Sequence, residues 1–253
     1  DVRRPIVAGQ FYPAARDSCV AEIDQCLSEH TLPAELPDTI VAGIVPHAGW
    51  TFSGPLAAMV FAAVKSRHEK VDTFIIFGAA HSYLRGLPAA WDKGAWQTPL
   101  GSVPVDEELA IAVLESNTAR SDPSAHASEH SIEVQVPFIQ QLFPQAKILP
   151  IVVPPDETAL ALGHAVGDII DAGDKKVVCI GSTDLTHYGP RYGFAPVGVG
   201  EKAVKWATEI NDRQFIDLAL KLDAPGLLDN AAQNCNACGP GAAAAVLCDA
   251  SRL

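Results

Sequence analysis

Four short, almost unbroken apolar runs punctuate this chain, over residues 39–46, 73–78, 147–153 and 176–181. Continuous apolar, β-branched runs of that length predict strands covered on both faces. Between and around them, apolar positions recur at helical spacing. They predict helices over 18–28, 54–67, 106–116, 131–142, 157–171 and 202–222, with a last one starting near Gly239. Asp106 suits an N-cap with Glu108 in the first turn, and Pro137 should shorten or kink its helix. The alternation predicts an α/β fold, three-layer αβα with a mostly parallel central sheet. The sequence shows no repeat, low-complexity tract or long linker, so residues 1–253 read as a single domain.

Composition mainly excludes. A formal net charge of −12 with no basic stripe argues against nucleic acid as a partner. The longest apolar runs, such as "TIVAGIV" and "TFIIFGAA", fall well short of the roughly 20 residues a membrane helix needs. The first residues, "DVRRPIVAGQFYP", lack the apolar core of a signal peptide, so a cytoplasmic protein is the expectation.

The polar residues that follow the strands are more informative. The run at 39–46 leads into His47, that at 73–78 into His81, and that at 176–181 into Asp184 and His187. In open α/β sheets ligands bind beyond the carboxyl ends of the strands, so these histidines are expected at one edge. "SEHSIEVQVPF" adds His130 and Glu133, which at helical spacing share a face. A lone histidine after a strand is usually a hydrogen-bonded structural group; three at equivalent places suggest ligands. His30, His68, His126 and His164 read as surface residues, lying in polar loops or on helix faces.

Of the six cysteines, Cys19, Cys26 and Cys179 fall at core positions. No second CxxC accompanies Cys235 and Cys238, which argues against a four-cysteine zinc site. Cys238 precedes Gly239-Pro240-Gly241 at an expected helix N-terminus, a position that favours the thiolate. Two imidazoles and one anion leave coordination positions open, and the anion here is either a carboxylate or a thiolate. Trp50, Phe52, Trp91, Trp96 and Tyr188 are expected in loops after the strands, more as caps on the sheet than as substrate contacts.

"AGQFYP", "VPHAGWTFSG", "GAAHSYLRG", "TPLGSVPVD", "EHSIEVQVPF", "STDLTHYG" and "CGPGAAAAVL", in that order, resemble the Memo-like family across nearly the whole chain. Bacterial members are known as protein B of the AmmeMemoRadiSam system, which makes AMMECR-type and radical SAM proteins candidate partners. The family is similar in fold to class III extradiol ring-cleaving dioxygenases. The resemblance implies that His47, His81 and Cys238 are metal ligands, for Fe(II) first and Zn or Cu as alternatives. It makes His187 an acid/base group beside Asp184, and lines the same pocket with His130 and Glu133. The N-terminal arm is then expected near the pocket. Two departures stand out. Gly78-Ala79-Ala80-His81 replaces a Gly-Pro-x-His pattern, and the chain ends at Leu253, where relatives continue with a closing strand. The sheet edge and one pocket wall are therefore expected to differ.

Three functions compete on this reading. One is a non-haem iron dioxygenase acting on an aromatic substrate, with His187 moving a proton. Another is a metal-binding accessory protein or peptide-binding adaptor, with Arg85 and Arg191 as candidate anion contacts that read more readily as ordinary solvated charge. The last is a metal-free hydrolase with Cys238 as nucleophile, His187 as base and Asp184 as orienter.

Overall fold

The computed structural model describes residues 1–29, 31–82 and 86–251. In chain order its elements are β1 (Val2–Arg3), α1 (Arg16–Ser28), β2 (Ala42–Val45), α2 (Trp50–Arg67), β3 (Thr73–Ala79), β4 (Ala89–Ala90), β5 (Ala95–Thr98) and β6 (Gly101–Pro104). There follow α3 (Glu107–Glu115), β7 (Arg120–Ser121), α4 (Val136–Leu142), β8 (Lys147–Val153), α5 (Thr158–Ala172) and β9 (Val177–Ser182). The chain then continues through α6 (Glu201–Trp206), α7 (Asp212–Leu220), α8 (Ala224–Asn234) and α9 (Pro240–Ala250).

The main sheet has the strand order β2-β9-β3-β8-β4-β7. Its first four strands are parallel. β4 runs antiparallel to β8 and carries β7 alongside it, so the sheet is mixed. β1, β5 and β6 form a smaller sheet. All four predicted strands are present, and every residue of β3 and β9 is buried.

Helices cover both faces. A Cβ on Gly43 would meet Val60 of α2, whereas one on Gly181 would meet Ala242 and Val246 of α9. Gly43 pairs with Ile180 and Ile44 with Gly181, so these two glycines point to opposite sides. Layer spacing on the α9 side is short because the helix is built from alanine. Pro240 through Asp249 are all buried, and a Cβ on Gly163 of α5 would stand 2.3 Å from the Ala245 carbonyl oxygen.

Several expectations need correction. α2 starts at Trp50, so Trp50 is buried in a helix and Phe52 is exposed on it. Trp96 is buried in β5. The helix expected over 131–142 is a 3₁₀ turn at Glu133–Gln135 followed by α4, with Pro137 in the first turn. There its missing N–H costs nothing. The helix expected over 202–222 is broken by a π-helical turn at Ala207–Asn211. α8 was not anticipated, although Asp223 caps it through the Gly226 N–H at 3.0 Å. His68 and His126 are buried, each with Nε2 on a backbone carbonyl, Ile40 at 2.8 Å and Ala89 at 2.9 Å respectively. His164 is exposed, as expected. His30 and Arg85 lie outside the described residues.

β2 is an edge strand of the main sheet. Beside it runs an apolar groove of about 630 Å³ walled by Ile44, Phe52, Leu56, Phe215, Leu220 and Leu247. Among the described residues no helix is long and apolar enough to cross a membrane.

Candidate metal centre

The loops after β2, β3 and β9 leave neighbouring strands at their carboxyl ends, because β9 lies between β2 and β3. His47, His81 and the segment carrying Asp184 and His187 therefore converge. α9 then enters from the side, and its Gly-Pro-Gly start makes the approach feasible. A Cβ on Gly239 would stand 2.6 Å from the Ser182 oxygen, and one on Gly241 2.1 Å from the Pro154 oxygen. The Gly239 N–H donates to Thr183 Oγ1 at 2.9 Å. The Asp184 N–H donates to Cys238 Sγ at 3.2 Å, and the Cys238 N–H donates back to the Asp184 carbonyl at 3.2 Å.

Among the described residues, two overlapping groups of side chains could each hold a metal ion, with candidate ligand atoms all within 4.8 Å of one another. One is His47, His81 and His130; the other is His47, Asp184 and Cys238. His47 belongs to both.

Hydrogen bonding settles which imidazole nitrogens face the centre. Ser182 Oγ donates to the Ser131 carbonyl at 2.8 Å, so it must accept from His47 Nδ1 at 3.0 Å. The Nε2 of His47 then faces Cys238 Sγ, 3.1 Å away. His81 Nδ1 donates to the Glu129 carboxylate at 3.0 Å, which leaves its Nε2 for the centre. Carboxylate or hydroxyl partners behind a histidine are the usual support for a metal ligand.

Electrostatics follow from the same contacts. Burial alone would raise the Cys238 thiol, but hydrogen bonds from His187, His47 and His81 outweigh it and bring the pKa down to about 4. The thiolate is thus favoured by the imidazoles more than by the start of α9. His81 is raised to about 10 by its bonds to Cys238 and Glu129. His187 is raised to about 10 by Asp184 first and Cys238 second. Burial opposes ionisation of Asp184, yet bonds to His187 and His47 hold it at about 2. Burial lowers His130.

Of the expected site residues, the structure brings together His47, His81, Cys238, His130, Asp184 and His187. The His130 ring stacks on His81 at 4.9 Å, with an interplanar angle of 8°. His187 sits at the rim, its side chain 42% exposed, with Nε2 3.7 Å from Asp184 Oδ2. Glu133 lies elsewhere. Its carboxylate is buried and accepts from Arg3 Nη1 at 2.7 Å, from the N–H groups of Ile6 and Val7 at 3.0 Å, and from the Tyr12 hydroxyl at 2.9 Å. Because residues 131 and 132 are not helical, His130 and Glu133 do not share a face. The residue missed at the sequence level is Glu129, whose signal was an acid directly beside His130 in "SEH". Besides His81 it accepts from the N–H groups of His130 and Ser131 at 2.9 and 2.8 Å. Cys235 ends α8 in the left-handed conformation (φ 51°) and is exposed.

The centre opens onto a cavity of about 380 Å³, whose walls include Ala80, Val153, Leu185, His187, Leu228 and Cys238. Fold and site together define an α/β protein with a histidine/cysteine cluster at the strand ends. The chain belongs to the Memo family, whose model, described as Memo-like protein, matches residues 3–253. A MEMO1 family protein of Methanopyrus kandleri is 36% identical over 256 residues, spanning 97% of this chain and 85% of that protein. MEMO1 family proteins of Methanosarcina acetivorans and Methanococcoides burtonii are 37% and 38% identical. They match 100% and 97% of this chain, and 88% and 86% of their own lengths.

Proposed function

We propose that this protein binds one metal ion through Nε2 of His47, Nε2 of His81 and Sγ of Cys238. The metal is Fe(II), and the fold is a relative of the class III extradiol dioxygenases. The observation that carries the reading is the pair of anchored rings: Ser182 and Glu129 engage both Nδ1 atoms and leave both Nε2 atoms for a metal, that of His47 3.1 Å from Cys238 Sγ. The donor set fits a metal with open positions, two imidazoles and one anion. When bound, the metal would supply Lewis-acid and redox chemistry at those positions.

The chain's own residues add the rest. The apolar walls of the 380 Å³ cavity suit a small aromatic molecule and exclude water from its body. His187 Nε2, at the mouth and paired with Asp184, is placed to hold or pass a proton. His130 covers one face of His81 and limits water access there.

One feature favours a second metal. A thiolate in place of a carboxylate suits Zn or Cu better than a hard oxygen donor does, and a Zn or Cu centre would make this a binding protein without oxygenase activity. Elemental analysis of anaerobically purified protein separates the two. Near-stoichiometric iron, lost in Cys238→Ala and His81→Ala, is expected. Zinc or copper lost in the same variants keeps the site and discards the iron reading. Protein that stays metal-free after reconstitution overturns both, and labelling of Cys238 by a thiol probe would then favour a nucleophilic cysteine.

A further inference from the structure

Arg3 is remote in sequence from every residue of the metal centre, yet its buried guanidinium ends directly behind it. Nε donates to the His126 carbonyl at 3.1 Å and Nη2 to the Glu129 carbonyl at 2.6 Å. Nη1 is paired with Glu133 at 2.7 Å, and the group lies 4.1 Å from the centre of the Trp96 ring. One planar fork therefore ties down the main chain at both ends of the segment 126–129. The side chain of Glu129 leaves that segment on the other side and holds His81 by Nδ1 at 3.0 Å and by its N–H at 3.2 Å.

We infer that Arg3 is a positioning residue of the metal centre, which sets the Glu129 carboxylate and through it the orientation of His81. The inference rests on the metal-centre reading for its consequence in affinity, but not for the positioning itself. The chemistry demands arginine. Three acceptors in fixed directions, two carbonyls and a carboxylate, match the rigid fork of a guanidinium, whereas an ammonium is a point donor on a flexible stem. The 126–129 stretch is a 3₁₀ turn running into a bend, too short for a helix to fix it. The arm that delivers Arg3 is itself held, since Glu133 binds the N–H groups of Ile6 and Val7. Phe11 of the same arm rests edge-on against His130 at 4.8 Å. The arm thus forms the back wall of the centre.

The test uses the full chain, cobalt(II) as probe, and two variants. Arg3→Lys keeps a positive charge beside Glu133. Arg3→Met/Glu133→Gln removes both charges, so no unpaired carboxylate is left buried. Two quantities are read: cobalt affinity, and the ring Nδ1–H signal of His81 in nitrogen-edited NMR of the metal-free protein, assigned with His81→Ala. In the wild type the Glu129 bond should protect that proton from exchange. Expected in the variants are loss of the protected signal and roughly 10–100-fold weaker cobalt binding, the usual cost of losing support behind a ligand. A His81 signal unchanged in a folded variant overturns the inference, whatever the affinity does. Wild-type protein that binds no cobalt overturns the metal reading alone. The His81 signal then still decides the role of Arg3, its loss supporting it and its persistence refuting it.

Discussion

Ser182 has one proton to give, and it goes to the Ser131 carbonyl, so His47 is left to donate through Nδ1. Removing the hydroxyl in Ser182→Ala frees the ring and its tautomer. Metal affinity should fall about 10–100-fold in a chelator competition, and an unchanged affinity would count against the assignment. His126 makes a different residue-scale case. Buried among Trp91 and Trp96, it donates Nε2–H to Ala89, while its Nδ1 has no partner among the described residues. Burial pushes its pKa down to about 4 from 6.5. Between those values the unfolded chain binds a proton that the folded chain excludes, so stability rises with pH across that window and is lost on acidification. The loss amounts to about 3 kcal/mol at about 1.4 kcal/mol per pKa unit. Urea melts at pH 4 and 7 should show that gap, and His126→Gln, which keeps a donor for Ala89, should shrink it. This burial is invisible in "PSAHASEH", a polar loop whose cover comes from Arg3 and the distant tryptophans. Glu129 was hidden for the same reason. Its importance lies in a bond to His81, 48 residues away in sequence.

At the scale of elements, the strands were readable because a run such as "FIIFGA" has no polar position at all. The short strands β1, β4 and β7, of two residues each, carry no pattern to read. The π-helical turn at Ala207–Asn211 has a cause beyond helix periodicity. Buried Asn211 bonds Thr186 at 3.0 Å and the Asn234 carbonyl at 3.0 Å, which ties the loop of His187 to α8. α9 is where element and site meet. Gly241→Ala would gain about 1 kcal/mol in helix propensity. Its Cβ would, however, fall 2.1 Å from the Pro154 oxygen, a backbone atom that no rotamer change can move. Overpacking of this kind costs about 1–3 kcal/mol, so the clash should win. The expected outcome is a lower melting temperature together with reduced metal occupancy, since Cys238 sits just before the helix start. A variant as stable and as metal-loaded as the wild type would refute the close approach.

The whole molecule works by convergence. Parallel strands β2, β9 and β3 end side by side, and the loops that leave them carry the histidines of the site. Histidines placed just after strands made this legible in advance. The partners that fix their tautomers come from β9, from the 126–131 loop and from the N-terminal arm, and only the folded chain brings these together. The central claim is the donor set, and X-ray absorption at the bound metal tests it most directly. One sulfur and two imidazole nitrogens are predicted in the metal's shell, with the sulfur lost in Cys238→Ser. A shell of nitrogen and oxygen alone in the wild type would contradict it, and would leave His130 or Asp184 in the place assigned here to Cys238.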